Sequence, residues 1–254
     1  MAGAGSPKVT MRAGFWRRAV AMAIDVVLIA FIVTVAGTIL FALTGGQIRL
    51  TTAIVDTVSC SRIDPQQLVL PNPPPFRITD AERCTKSFFG YVHDRTLRVS
   101  EVKQSDSVTY TRAVTYPVDA DGRLVSADYI DFMIYVLLVI YVLVLEWRFG
   151  RTIGKRLVGI RVQSLGGGAI TFEQAVKRSV IRFLPWPLFM VPFVLPLFTS
   201  YDAFFSFMTS INAQAIMLVF IVAVLVFVGN FVKATRRREL PWDDRWARTE
   251  VVRV

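Results

Sequence analysis

Histidine is almost missing from this 254-residue chain, which carries His93 alone, and cysteine occurs only at Cys60 and Cys84. A single histidine beside Asp94, far from any apolar run, reads as an ordinary surface or core residue rather than a metal ligand. No histidine lies in or near a long apolar stretch, and none pairs with a serine nucleophile. Enzyme chemistry is thus the least supported class, and neither a metal nor a cofactor is expected. Acidic side chains are also scarce, 19 against 29 basic ones, for a net charge of +10.

What the chain has in excess is apolar length. Its 54% apolar content and mean hydropathy of +0.49 exclude an ordinary soluble domain and point to an integral membrane protein. Four runs stand out: Ala19 to Leu43, Tyr129 to Trp147, Phe183 to Thr199 and Ala215 to Val232. The first, at about 1.5 Å per helical residue, is long enough to cross a hydrocarbon core of roughly 30 Å. The third holds Pro185, Pro187, Pro192 and Pro196, which predicts a kinked or partly unwound span. The expected architecture is an all-α membrane bundle of four transmembrane helices, with a small loop- or β-rich exported insert between helices 1 and 2.

Charge sorts by segment. Residues 1–18 hold four basic and no acidic side chains, and residues 146–182 hold eight basic and two acidic. The tail 233–254 has seven and four, while residues 44–131 have ten basic and eleven acidic. By the positive-inside rule both termini and the 148–182 loop face the cytoplasm, and the insert is exported. The expected organisation is a cytoplasmic start and first helix (1–43), the insert (44–128), a second helix (129–147) and a basic loop (148–182). Helices three and four (183–232) and a cytoplasmic tail (233–254) follow. The expected place is a bacterial plasma membrane. The basic excess flanks apolar runs, so anionic lipid headgroups, not nucleic acid, are the expected partner. The first run is too long for a signal peptide and reads as an uncleaved anchor.

Within the insert, Thr96 to Val102 and Ser107 to Val118 alternate like strands, and Asp119 to Gly122 reads as a turn. Pro71 to Pro75 reads as an extended connector. An exported compartment permits a Cys60–Cys84 disulfide, worth about 3 kcal/mol in the chain-entropy picture. In the basic loop, Gly150, Thr152, Gly154, Lys155 and Arg156 invite a phosphate-loop reading. That reading fails, because only three residues separate the glycines and Arg156 stands where Ser or Thr is needed. Leu157 to Gln163 alternates like a strand, with Gly166 to Gly168 as a turn and Ala169 to Phe172 able to pair back. Thr171 and Gln174 have capping-box spacing, so an interfacial helix is expected there. It would carry Phe172, Ala175, Val176, Val180 and Ile181 on one side, with Lys177, Arg178 and Arg182 for headgroups.

The candidate site is a group of charges that a membrane segment should not contain. Asp25 is the only charge in the first run, and an acid inside a span costs about 2.5–3.5 kcal/mol unless stabilised. Arg18, seven residues earlier on nearly the same helical face, is its expected partner. Glu146 near the end of the second run and Asp244 in the tail are expected to join them.

Three stretches together resemble the RDD family of bacterial multi-pass membrane proteins, named for one arginine and two aspartates. They are Phe15 to Asp25, Glu146 with Gly150 to Val162, and Asp244 to Val252. The resemblance places the family's arginine at Arg18, its first aspartate at Asp25 and its second at Asp244, with Asp243 the alternative. Arg248 stands where the family usually has glycine. The resemblance implies a transport role, with sodium–proton exchange proposed for some members. The expected function is cation or proton transport, antiporter-like, through the Arg–Asp cluster of a homo-oligomer. The alternative is a non-catalytic accessory or assembly protein that binds partners through its insert or basic loop.

Overall fold

The computed structural model describes residues 11–51, 53–68, 70–105, 108–183, 211–237 and 239–254. The chain divides into two compact units, one of residues 1–26 with 138–254 and one of residues 27–137.

Helix α1 (Phe15–Leu43) and helix α2 (Phe132–Phe149) are the helices among the described residues that are long and apolar enough to cross a membrane. The expected third span lies outside the described residues except for Phe183. The expected fourth falls in a helix, Ile211–Arg236, whose described apolar stretch is the shorter Val224–Ala234. The other described segments are rich in antiparallel strands, so the all-α four-helix bundle is overturned. The reason is local: segments rich in Thr, Val and Tyr with period-2 alternation satisfy their backbone groups by pairing.

In the 27–137 unit, α1 ends at Gly45 and Gly46, both at positive φ, and the Gly46 amide donates to Phe41 O at 2.9 Å. This left-handed finish satisfies a carbonyl that the helix would otherwise leave open. Strands β1 (Ile48–Arg49), β2 (Thr57–Ile63), β3 (Asp80–Phe88), β4 (Tyr91–Ser105), β5 (Val108–Pro117) and β6 (Asp128–Tyr129) follow. β2 to β5 form a four-stranded antiparallel meander, and β1 pairs in parallel with β6. The expected strands are thus present, and Asp119 Oδ1 accepts from the amides of Asp121 and Arg123 in the expected turn. Cys60 and Cys84 sit opposite each other on β2 and β3 and are disulfide-bonded.

A bulge in β4 leaves His93 without a ladder partner, so the consecutive residues His93 and Asp94 are both buried. The His93 ring nitrogens face Leu50 O at 3.1 Å and Asp56 Oδ1 at 2.7 Å. It is a core histidine bonded at both ends. Beside it, fully buried Arg49 bonds Gly46 O, Arg95 O and Val118 O and pairs with Asp94.

The other unit adds α3 (Ile153–Leu157), β7 (Ile160–Ser164), α4 (Phe172–Phe183), α5 (Ile211–Arg236), α6 (Trp242–Ala247) and β8 (Thr249–Arg253). The expected hairpin does not form: β7 pairs with the tail strand β8 instead of with residues 169–172. Residues 11–13 extend this sheet, with the Ala13 amide donating to Val251 O at 2.8 Å. Ala13, Ala21, Ile160, Val162, Ile170, Ala175 and Val251 make the core. α4 starts with the expected reciprocal cap: Thr171 N donates to Gln174 Oε1 and Gln174 N to Thr171 Oγ1.

Candidate functional site

Burial in the unit of residues 1–26 and 138–254 gathers charge from five helices. Arg18 comes from the first turn of α1, Glu146 from the end of α2 and Lys155 from α3. Arg178 and Arg182 come from α4, and Asp243 and Asp244 from α6. All but Arg182 are buried outright, and the Arg182 side chain is 18% exposed.

Arg18 donates through Nη1 to Asp244 Oδ2 at 2.5 Å and through Nε to Ala13 O at 3.2 Å. Arg178 pairs with the other Asp244 oxygen and donates to Thr249 Oγ1 at 2.9 Å. Its Nε lies 3.0 Å from Glu146 Oε2, though off the direction of a hydrogen bond. Lys155 Nζ pairs with Glu146 Oε1, which also accepts from Arg182 Nη1 at 3.0 Å. Arg182 Nη2 donates to Asp243 Oδ2 at 2.8 Å, whereas Asp243 Oδ1 is buried without a hydrogen bond among the described residues. Four cations therefore face three carboxylates.

The electrostatics outside the spanning helices follow from that count. Burial lowers Lys155 to about 8 against the raising pull of Glu146, and Arg182 and Arg178 add to the depression. Burial likewise brings Arg178 down to about 10, with Arg182 pushing the same way. Burial would raise Asp243, but Arg182 and then Arg178 hold it below the ordinary carboxylate range. Arg182 lies above its ordinary value: burial lowers it, and Glu146 and Asp243 more than reverse that.

Asp25 stands apart, and the expected Arg18–Asp25 pair does not exist. The Arg18 guanidinium turns to the tail, whose aspartate offers a shorter, charge-assisted bond. Asp25 is 1% exposed and accepts three neutral donors: Tyr141 Oη at 2.7 Å, Thr152 Oγ1 at 2.5 Å and Gly154 N at 2.8 Å. Among the described residues no cation lies within ion-pair range of it.

The loop motif builds this pocket. Gly150 ends α2 at φ 68, and a Cβ there would sit 2.8 Å from Val162 O. Thr152 caps α3, accepting from Lys155 N at 3.3 Å while it donates to Asp25. Gly154 lets α3 touch α1, since a Cβ would overlap the Ala21 carbonyl. Lys155 enters the ion network, while Arg156 stays exposed outside it.

Several members escape a reading of the sequence alone. Arg178 and Arg182 do not reach for headgroups; only Lys177 of that trio is exposed, in an i,i+4 pair with Glu173. The buried face of α4 is Ala175, Arg178, Ser179 and Phe183, whereas Phe172 and Val180 point outward. Arg178 and Arg182, four apart on the face of Ala175 and Ser179, were the available signal. Asp243 and Asp244 both belong to the network, and Asp244 is the one that takes Arg18. Cys60, Glu82 and Cys84 cluster tightly, but the disulfide removes both thiolates as ligands.

The sequence model of the RDD family matches residues 107–248, more than half of the chain. The chain belongs to the RDD family. It is accordingly an integral membrane protein, and the apolar α1 and α2 agree with that. No curated protein and no solved structure matches it. The RDD match covers Glu146, the Gly150–Arg156 motif, both α4 arginines and Asp243–Asp244, but not Arg18 or Asp25. Geometry attaches those two to the matched region, through Asp244 and through Thr152 and Gly154.

Proposed function

We propose that this RDD-family protein carries a monovalent cation or a proton across a bacterial plasma membrane, antiporter-like, with Asp25 as the carboxylate that binds it. The observation that carries the reading is the Asp25 environment: a buried carboxylate in a spanning helix, bonded only to neutral groups. An acid in a membrane segment is costly and marks an ion or proton path by default. Asp25 with the Tyr141 and Thr152 hydroxyls gathers hard oxygen atoms, the ligand type that monovalent and other hard cations favour. The neighbouring network adds one excess positive charge, so an ionised Asp25 balances the whole assembly. Loading Asp25 with a proton or cation breaks that balance, and the network is the natural element to respond.

One observation favours a second reading, a non-catalytic accessory protein with a permanent lock at this site. The Tyr141 oxygen also accepts Ile153 N at 3.0 Å, and the Thr152 oxygen accepts Lys155 N. Both hydroxyls are thus committed to backbone amides, as a clamp on α3 requires.

Flux separates the two. Protein reconstituted into liposomes under a pH, sodium or potassium gradient is expected to move ions, and Asp25→Asn is expected to stop flux while leaving a folded protein. Flux indifferent to Asp25→Asn defeats the ion-site reading. A folded wild-type protein that moves none of these ions favours the lock.

A further inference from the structure

Next to the network, and sharing only Arg18 with it, lies a cavity of about 270 Å³ whose wall is dominated by arginine. Arg12, Arg18, Arg236 and Arg253 line it, with Glu239 the one acid and the backbone around Ala13 and Gly14 completing it. The arginines come from the N-terminal strand segment, the start of α1, the end of α5 and β8, four places brought together only by folding.

Arg12 and Arg18 have carboxylate partners, and the other two arginines supply the unmatched charge. Among the described residues, neither Arg236 nor Arg253 lies in ion-pair range of a carboxylate, and Arg12 reaches Glu250 at 3.4 Å through Nε. Arg18 is the decisive member. Its Nε and Nη1 are committed to Ala13 O and Asp244, while Nη2 has no hydrogen-bond partner among the described residues. Four guanidinium groups around a small polar cavity make a trap for a tetrahedral oxyanion, because planar forks donate in pairs to phosphoryl oxygens. With Arg12 paired to Glu250 and Arg18 to Asp244, the charges of Arg236 and Arg253 face Glu239 alone, and a bound anion offsets that remaining excess.

The geometry points to a binding site for a phosphoryl group in this cavity, carried by a lipid headgroup or by a soluble phosphate compound. Arg18 would share its guanidinium between the bound anion and Asp244, which makes it the one residue common to the cavity and the buried network. The site stands on its own lining and does not depend on whether the protein transports ions.

The test uses the full chain purified in detergent and titrated separately with inorganic phosphate, dihexanoyl phosphatidylglycerol and dihexanoyl phosphatidylcholine, with binding read by calorimetry. Arg236→Gln and Arg253→Gln, both exposed and outside the buried network, are the variants, and Arg148→Gln on the outer surface of α2 is the control. Saturable binding of phosphate or phosphatidylglycerol is expected. Each cavity substitution should weaken it about tenfold, as the loss of one charge-assisted hydrogen bond implies, while Arg148→Gln leaves it unchanged. Binding of phosphatidylglycerol but not phosphate assigns the site to a lipid headgroup, and the reverse assigns it to a soluble ligand. Binding of none of the three, or binding equally affected by Arg148→Gln, overturns the proposal.

Discussion

Arg18 and Asp244 meet at 2.5 Å across 226 residues of sequence, and both are buried. The contact ties the first turn of a membrane helix to the C-terminal tail. It also leaves Asp25, the acid inside that helix, to bind neutral groups.

Removing one side of that pair leaves a buried charge unmatched, which costs about 3–5 kcal/mol. Arg18→Gln and Asp244→Asn should each lower the thermal unfolding midpoint of the detergent-solubilised protein substantially. The double variant should lose much less than the two losses added, because neither leftover group is charged. Strictly additive losses would mean that the contact contributes nothing. Arg178 also bonds Asp244, so Asp244→Asn should be the worse single change.

Lys155, lowered by burial to about 8, gives a pH signature with a definite sign. Between pH 8 and its ordinary 10.5 the unfolded chain holds that proton and the folded chain does not, so stability should rise with pH across this window. Lys155→Met should flatten the rise, since it removes the group that exchanges its proton across this window. Asp243 acts at the other end. Its folded value lies below the ordinary 3.8, so its contribution is complete above that value and is lost as pH falls through the folded one. Unfolding curves of wild type and Lys155→Met, compared from pH 7 to about 10.5, are the measurement.

Arg248 occupies the left-handed region, at φ 54 and ψ 46, where it ends α6. A glycine fits there without strain, whereas a side chain costs about 1–2 kcal/mol. The tail keeps its geometry despite the arginine, because β8 follows at once and pairs with β7 over five residues. Arg248→Gly should therefore stabilise the protein by about 1 kcal/mol after the extra chain entropy of glycine is subtracted. An unchanged or lowered melting temperature would show that the Arg248 side chain makes a compensating contribution.

What the sequence made legible was local. Asp25 announces itself as the one charge in an apolar run, the alternation over 96–102 marks β4, and Thr171 with Gln174 marks the start of α4. Partners were not legible, because partner choice is decided by folding over long separations. Seven residues along a helix made Arg18 the natural mate for Asp25, yet the tail offered it a carboxylate at 2.5 Å. β7 had an adjacent glycine turn and still paired with a strand at the end of the chain. The bulge that buries His93 beside Asp94 adds a residue that no alternation pattern reveals. Apolar length, finally, set the expectation of four spans, while the pairing capacity of the segments between them determined the strand content.

Gly154 tests whether the motif loop must touch α1. A Cβ at this position overlaps the Ala21 carbonyl and lies 2.9 Å from Asp25 Oδ1, and the obstacle on one side is backbone that cannot rotate away. Gly154→Ala must push α3 off the helix, which lengthens the Gly154 N–Asp25 bond and pulls Thr152 with it. Overpacking of this kind costs about 1–3 kcal/mol. The loss should exceed that of Gly166→Ala, where a Cβ meets open space. Because Tyr141 comes from α2 rather than the loop, its bond to Asp25 should survive. Hydrogen exchange at residues 152–157 is therefore expected to quicken in Gly154→Ala while the α2 amides near Tyr141 keep their protection. Equal exchange in the two segments would mean that the loop does not depend on its contact with α1.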